Sequence, residues 1–162
     1  MEEQDSKYFN IIDFYYSYDD NLILYIKGHL FLEYAMNLIY SKATGLDVSE
    51  HSFYQKIHLL SNKNLITNNE KILLLTINRC RNKIAHDLDY DLTFDTAYDL
   101  VCLSVKAGVD YSDDNIYKDK LISQKEYGIE GIINELFPNT FCQLIDNNKK
   151  YFTMEEISKL MC

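Results

Sequence analysis

A chain of 162 residues and 19.1 kDa that is 47% apolar can bury a sizeable core in one domain, and its composition excludes fibrous, low-complexity and wholly disordered classes. Its 25 acidic and 16 basic residues give a formal charge of -9, which excludes sequence-independent duplex binding through a broad basic face. One proline and five glycines leave few of the breaks that a fold of many tight turns needs, so the expected class is all-α.

The opening MEEQDSKYFN is acidic where a cleaved leader would be basic. The longest uncharged apolar stretches, such as Ile72 to Ile77, fall far short of the ~20 residues of a membrane span. A cytoplasmic protein with no membrane contact is therefore expected. Cys80, Cys102, Cys142 and Cys162 form no CxxC pair and no Cys/His zinc spacing, so they read as small apolar residues in a reducing compartment. No metal and no cofactor is expected.

In chain order, Asp19 and Asp20 precede a long apolar-rich helix that stops at Thr44-Gly45. Its apolar residues fall on two flanks, one through Ile26, Leu30, Glu33, Asn37 and Tyr40 and another through Leu24, Phe31, Ala35, Leu38 and Lys42. Such a helix is central, with more than one neighbour. Ser49 is the expected cap of a short amphipathic helix with Phe53, Ile57 and Leu60 inward. Thr67 to Glu70 match a capping box ahead of KILLLTINRCRNKIAH, in which Leu73, Ile77, Cys80 and Ile84 repeat as a buried seam.

The closely spaced aspartates of DLDYDLT favour a turn, after which Thr93 or Asp95 starts a helix with Phe94, Ala97, Leu100 or Val101, and Ser104 inward, stopped by Gly108. From Asp110 the pattern predicts a polar helical stretch over 113–126, a segment GIEGIINELF ending at Pro138, and a last short helix capped by Thr153. Residues 1–109 thus read as a helical bundle and 110–162 as a helical C-terminal extension packed on the same domain.

One motif carries chemistry. Arg81, Asn82 and His86 stand together at the end of the best-specified helix. At ~100° per residue Arg81 and His86 lie about 140° apart, so they converge only if the helix ends near Ala85. A histidine titrating near neutrality can move a proton, and an arginine can hold a phosphate and stabilise charge on phosphorus. Those groups suffice for metal-independent cleavage of RNA, with the 2′-hydroxyl as nucleophile and Asn82 orienting the histidine or the phosphate. A symmetric dimer would bring two histidines to one acid/base site. From spacing alone the pair suits a solvated helix end in a favourable dipole interaction better.

RNKIAH resembles the Arg-x4-6-His signature of the HEPN superfamily. More closely, residues 53–100 resemble its mannitol operon repressor family, through the F-x-x-K-I start at Phe53 to Ile57, a Leu-rich stretch, Arg-Asn-x-x-Ala-His, and the helix start at Phe94. The preceding GHLFLEYAMNLI is similar to the first bundle helix with its inward glutamate. The resemblance implies an up-and-down helical bundle of HEPN type, dimeric, with the motif near the dimer interface. Many HEPN proteins are endoribonucleases of toxin-antitoxin or antiviral systems, and Arg81 and His86 match their catalytic positions. The mannitol repressor branch is associated instead with regulation and has no evident DNA-reading element.

Charge fits a focused site. Residues 71–86 hold Lys71, Arg79, Arg81 and Lys83 with no acid, a local +4 in a remainder of -13. Arg79 and Lys83 are the expected additional substrate contacts, and Glu33 a supporting residue beside the site. Asp87, Asp89, Asp91, Asp95 and Asp99 follow, able to repel RNA or to dock a basic antitoxin or other protein partner. His29 and Glu33, four apart, read as a buried or interface polar pair. His51 and His58 lack a third metal ligand, and the 14 tyrosines read as core and interface residues. The leading expectation is a metal-independent endoribonuclease acting as a toxin or antiviral defence effector, with an RNA substrate. The alternative is a non-enzymatic HEPN regulator or protein-interaction module.

Overall fold

The computed structural model describes residues 20–87 and 90–161, among which every regular element is a helix. Helix α1 spans Asp20–Thr44, α2 Phe53–Asn62, α3 Asn68–His86 and α4 Phe94–Lys106. Then come α5 (Asn115–Lys118), α6 (Lys120–Glu126), α7 (Gly128–Asn147), a 3-10 turn over Lys149–Tyr151, and α8 (Met154–Met161). The all-α class holds.

α1 is central, packing against α2, α3 and α7. Its buried stripe runs through Tyr25, His29, Leu32, Ala35, Met36, Ile39 and Tyr40, between the two flanks that the apolar pattern suggested. Leu30 and Phe31, expected inside, are 56% and 40% exposed. Apolar residues on nearly every side of α1 left its register undetermined by periodicity, and the polar His29 closes the stripe. By length and composition, with a mean hydropathy of 1.2 and Lys27 and Glu33 interrupting its uncharged runs, α1 also meets the measure of a membrane-crossing helix. A core helix passes the same test, and this one carries the bundle. Gly45, at φ +74°, ends it by donating to the Ser41 carbonyl at 2.8 Å.

α2 is capped by Ser52 rather than Ser49. The Ser52 hydroxyl accepts from the Gln55 amide at 3.3 Å, and the Gln55 side chain accepts from the Ser52 amide at 2.9 Å. Ser49 is engaged elsewhere, its amide and hydroxyl both donating to Asp47. The expected boxes at Thr67 and Thr153 are present, and Thr93 caps α4. Gly108, at φ +92°, follows the end of α4, where Val109 donates back to Ser104. The stretch 113–126 is two helices rather than one, because Asp119 leaves the helical conformation to cap α6 through the Leu121 and Ile122 amides.

Pro138 does not end α7. It is exposed, and the buried stripe of Ile132, Ile133, Leu136 and Phe137 resumes beyond it with Thr140, Phe141, Leu144 and Ile145. The missing amide removes one hydrogen bond on the solvent side, and the packed face outweighs that loss. α7 lies on α1 and α4, and its apolar side chains share one core with theirs. Tyr25 meets Phe137 edge-on at 5.1 Å, and Phe31 stacks on Phe141 at 4.1 Å.

Gly28 is what lets α7 approach α1, since a Cβ there would stand 2.3 Å from the Phe137 ring. Gly28→Ala is expected to lower stability by ~1–3 kcal/mol through overpacking, outweighing about 1 kcal/mol gained in helix propensity. Adding Phe137→Leu should return part of that loss, as read by urea melts.

α8 closes back on α1 through Lys42 and Glu156, and Glu156 also completes the Thr153 capping box. The Lys42 ammonium and the Thr153 amide hold the Glu156 carboxyl down at about 2. A carboxyl depressed in the folded state stabilises docking above the ordinary glutamate range, and that contribution fades as pH falls through about 2. Amide protection in α8, taken relative to intrinsic exchange at each pH, should therefore fall between pH ~4.5 and ~2, ahead of α3.

Candidate functional site at the end of α3

The seam of α3 through Leu73, Leu74, Ile77 and Cys80 is buried in the core. That rotation fixes the neighbouring flank, on which Asn78, Arg81 and Asn82 stand at i, i+3 and i+4. Facing them are His29 and Glu33 of α1, one turn apart, and the start of α2 at Ser52, Phe53 and Tyr54. These eight residues line one open cleft of about 440 Å³.

The walls of the cleft are braced. His29 stacks on Phe53 at 3.9 Å and its Nε2 meets the Asn78 Oδ1 at 3.2 Å. Burial lowers its pKa, so the imidazole is neutral at neutral pH. Glu33 does not pair with His29. It accepts from the Lys56 ammonium at 2.6 Å, and Lys56 is only 1% exposed. The same ammonium donates to the Ser49 carbonyl at 3.3 Å, tying the start of α2 to α1.

Arg81 is half-buried. Its Nη1 makes a long contact to Asn82 Oδ1 at 3.4 Å, and its Nε is shielded from solvent with no hydrogen-bond partner among the described residues. No carboxylate among them forms an ion pair with it. Behind the seam, Cys80 Sγ meets the Tyr90 hydroxyl at 3.4 Å, and burial pushes Tyr90 up to about 12. Tyr25 donates to the Ile77 carbonyl at 3.1 Å.

The structure brings Arg81, Asn82 and Glu33 to one cleft and leaves the other expected residues outside it. α3 continues through His86, with Asp87 as its C-cap, so the convergence that needed an end near Ala85 does not form within one protomer. His86 is exposed, about 140° around the helix from Arg81. Arg79 and Lys83, two residues either side of Arg81, point about 160° away from it and are exposed, with the Lys83 ammonium 5.8 Å from the Tyr90 ring. Asp87, Asp91, Asp95 and Asp99 are exposed and line no part of the cleft, while Asp89 lies outside the described residues.

Sequence reasoning missed Lys56, Ser52 and the His29 to Asn78 contact. Lys56 had a signal, because it stands on the Phe53, Ile57 and Leu60 face of an amphipathic helix, where a cation needs an internal carboxylate. Among the described residues no three His, Cys, Asp or Glu side chains group as metal ligands. His58 packs against Tyr54 and His51 is exposed. The described extension meets α3 at its opposite end, where Asn147 donates to Glu70 and Asn148 to the Leu65 carbonyl just before that helix. No protein-family model, characterised protein or solved structure matches the chain.

Proposed function

We propose that the protein is a metal-independent endoribonuclease of HEPN type, acting as a toxin or defence effector in the form of a homodimer. The observation that carries this reading is Arg81, an arginine without a carboxylate partner among the described residues, in an open cleft beside the C-terminal half of α3, whose residues 71–86 carry a local +4. Arg81 holds a backbone phosphate, with Asn82 beside it. Because His86 lies about 140° from Arg81, the pair comes from two copies, Arg81 of one and His86 of its partner, meeting across a twofold axis.

The 2′-hydroxyl attacks the adjacent phosphorus, and the P–O5′ bond breaks as the new P–O2′ bond forms. The products are a 2′,3′-cyclic phosphate and a 5′-hydroxyl. The partner's His86 takes the 2′ proton as the P–O2′ bond forms, and water protonates the departing O5′. Cleavage of a single-stranded RNA with chelator present is expected for the wild type and is expected to fall by ~10²-fold or more in His86→Ala. Equal behaviour of the two proteins would overturn the proposal. The divergence of Arg81 and His86 within one protomer favours the second reading, a non-enzymatic HEPN regulator. That reading predicts a dimer with no cleavage in either protein.

A further inference from the structure

The cleft contains more than Arg81. It includes the start of α2, where Ser52 and Gln55 satisfy each other and Lys56 donates to the Ser52 carbonyl. The next two amides, of Phe53 and Tyr54, are first-turn donors with no protein acceptor among the described residues. The positive end of α2 and the guanidinium of Arg81, which has no carboxylate partner among the described residues, thus share one concavity. The acid in the wall, Glu33, is neutralised by Lys56, and His29 contributes no competing negative charge. Tyr54, 54% exposed, lies at the same cleft with one side of its ring against His58.

We propose that this cleft seats one phosphate of a single-stranded RNA between the Arg81 guanidinium and the Phe53 and Tyr54 amides, with the Tyr54 ring as the platform for the adjoining base. The choice of RNA rests on the ribonuclease reading; the phosphate seat does not. A tetrahedral anion accepts from the fork of an arginine and from two successive amides at once, and a π-face beside it takes a base of any identity.

The test uses the full chain and two probes, inorganic phosphate and a 2′-O-methyl oligouridylate, which has no 2′ nucleophile. Phosphate is expected to shift the Phe53 and Tyr54 amide resonances and the Arg81 Nε resonance. Ser52→Asp keeps a strong N-cap and so the fold, but places a carboxylate at the seat. It should weaken both probes by roughly tenfold or more, as should Arg81→Gln. Tyr54→Ala should leave phosphate affinity unchanged and weaken the oligonucleotide by about tenfold.

Phosphate shifts elsewhere or nowhere, or wild-type affinity in Ser52→Asp and Arg81→Gln, would overturn the seat. Wild-type oligonucleotide affinity in Tyr54→Ala would overturn the base platform. Phosphate binding with no gain from the oligonucleotide would assign the cleft to a free phosphate and overturn its assignment to RNA. A seat that binds in a protein that cuts no RNA defeats the ribonuclease reading alone, and cleavage without these shifts defeats the seat alone.

Discussion

Arg81→Ala and His86→Ala protomers, each inactive as homodimers, are expected to regain RNA cleavage when mixed and allowed to exchange. The expectation follows from the geometry of α3, which keeps its helical conformation through His86 and so separates the two side chains by about 140° within a protomer. A mixed dimer retains Arg81 from one copy and His86 from the other. If the pair works across the twofold axis, that dimer holds one of its two Arg–His pairs. Random exchange makes half the dimers mixed, so activity should reach up to about a quarter of wild type. Each homodimer should lose ~10²-fold or more, because removing either the proton-transfer group or the phosphate donor removes transition-state stabilisation. A mixture as inactive as its parents, with exchange confirmed by mass, would show that the two residues act from one protomer or not at all.

The largest stability effect is expected from Glu33→Ala. Lys56 is 1% exposed and its ammonium rests on Glu33 at 2.6 Å, with the Ser49 carbonyl as its one other acceptor among the described residues, at 3.3 Å. Removing the carboxylate leaves a buried cation without a counter-charge, which costs ~3–5 kcal/mol. Lys56→Met should cost less, because Glu33 is 26% exposed on its side chain and can hydrate where Lys56 cannot. The double variant Glu33→Leu with Lys56→Met should recover most of the stability, since an apolar pair of similar volume replaces the ion pair. Urea melts of the four proteins decide it. A loss below about 1 kcal/mol in Glu33→Ala would show that water reaches Lys56 and that the pair does not brace the cleft.

How much was legible follows from the kind of signal each element carries. The Thr67 and Thr153 boxes, the Thr93 cap and the Phe53, Ile57, Leu60 face are local patterns, and the structure has them where the sequence places them. Ser52-x-x-Gln55 is as local as these and legible, and so is the Asp47 turn that occupies Ser49 two residues on, so local pattern alone favours Ser52 over Ser49 as the cap. The continuation of α7 through Pro138 was overridden by a single-residue rule, although the 3-4 spacing of apolar residues runs unbroken across it. The face of α1 was not legible at all, since tertiary packing had to choose among nearly equivalent apolar sides.

The site divides in the same way. Arg81 and Asn82 share a flank by helical spacing, and Glu33 faces them. That Glu33 is bound to Lys56, that His29 turns to Asn78, and that the start of α2 completes the cleft are contacts between elements distant in sequence. No periodicity encodes them. The position of His86 depended on one residue of helix termination, a boundary that sequence patterns leave uncertain by more than that.

The central claim is that a phosphate held by Arg81 is attacked by its own strand's 2′-hydroxyl without a metal. It is tested most directly by the chemistry of the ends left on a single-stranded RNA incubated with the wild-type protein and a chelator. Fragments ending in a 2′,3′-cyclic phosphate and a 5′-hydroxyl, absent with Arg81→Ala, are the expected result. Intact RNA, fragments with 3′-hydroxyl ends, or the same fragments from Arg81→Ala would contradict it.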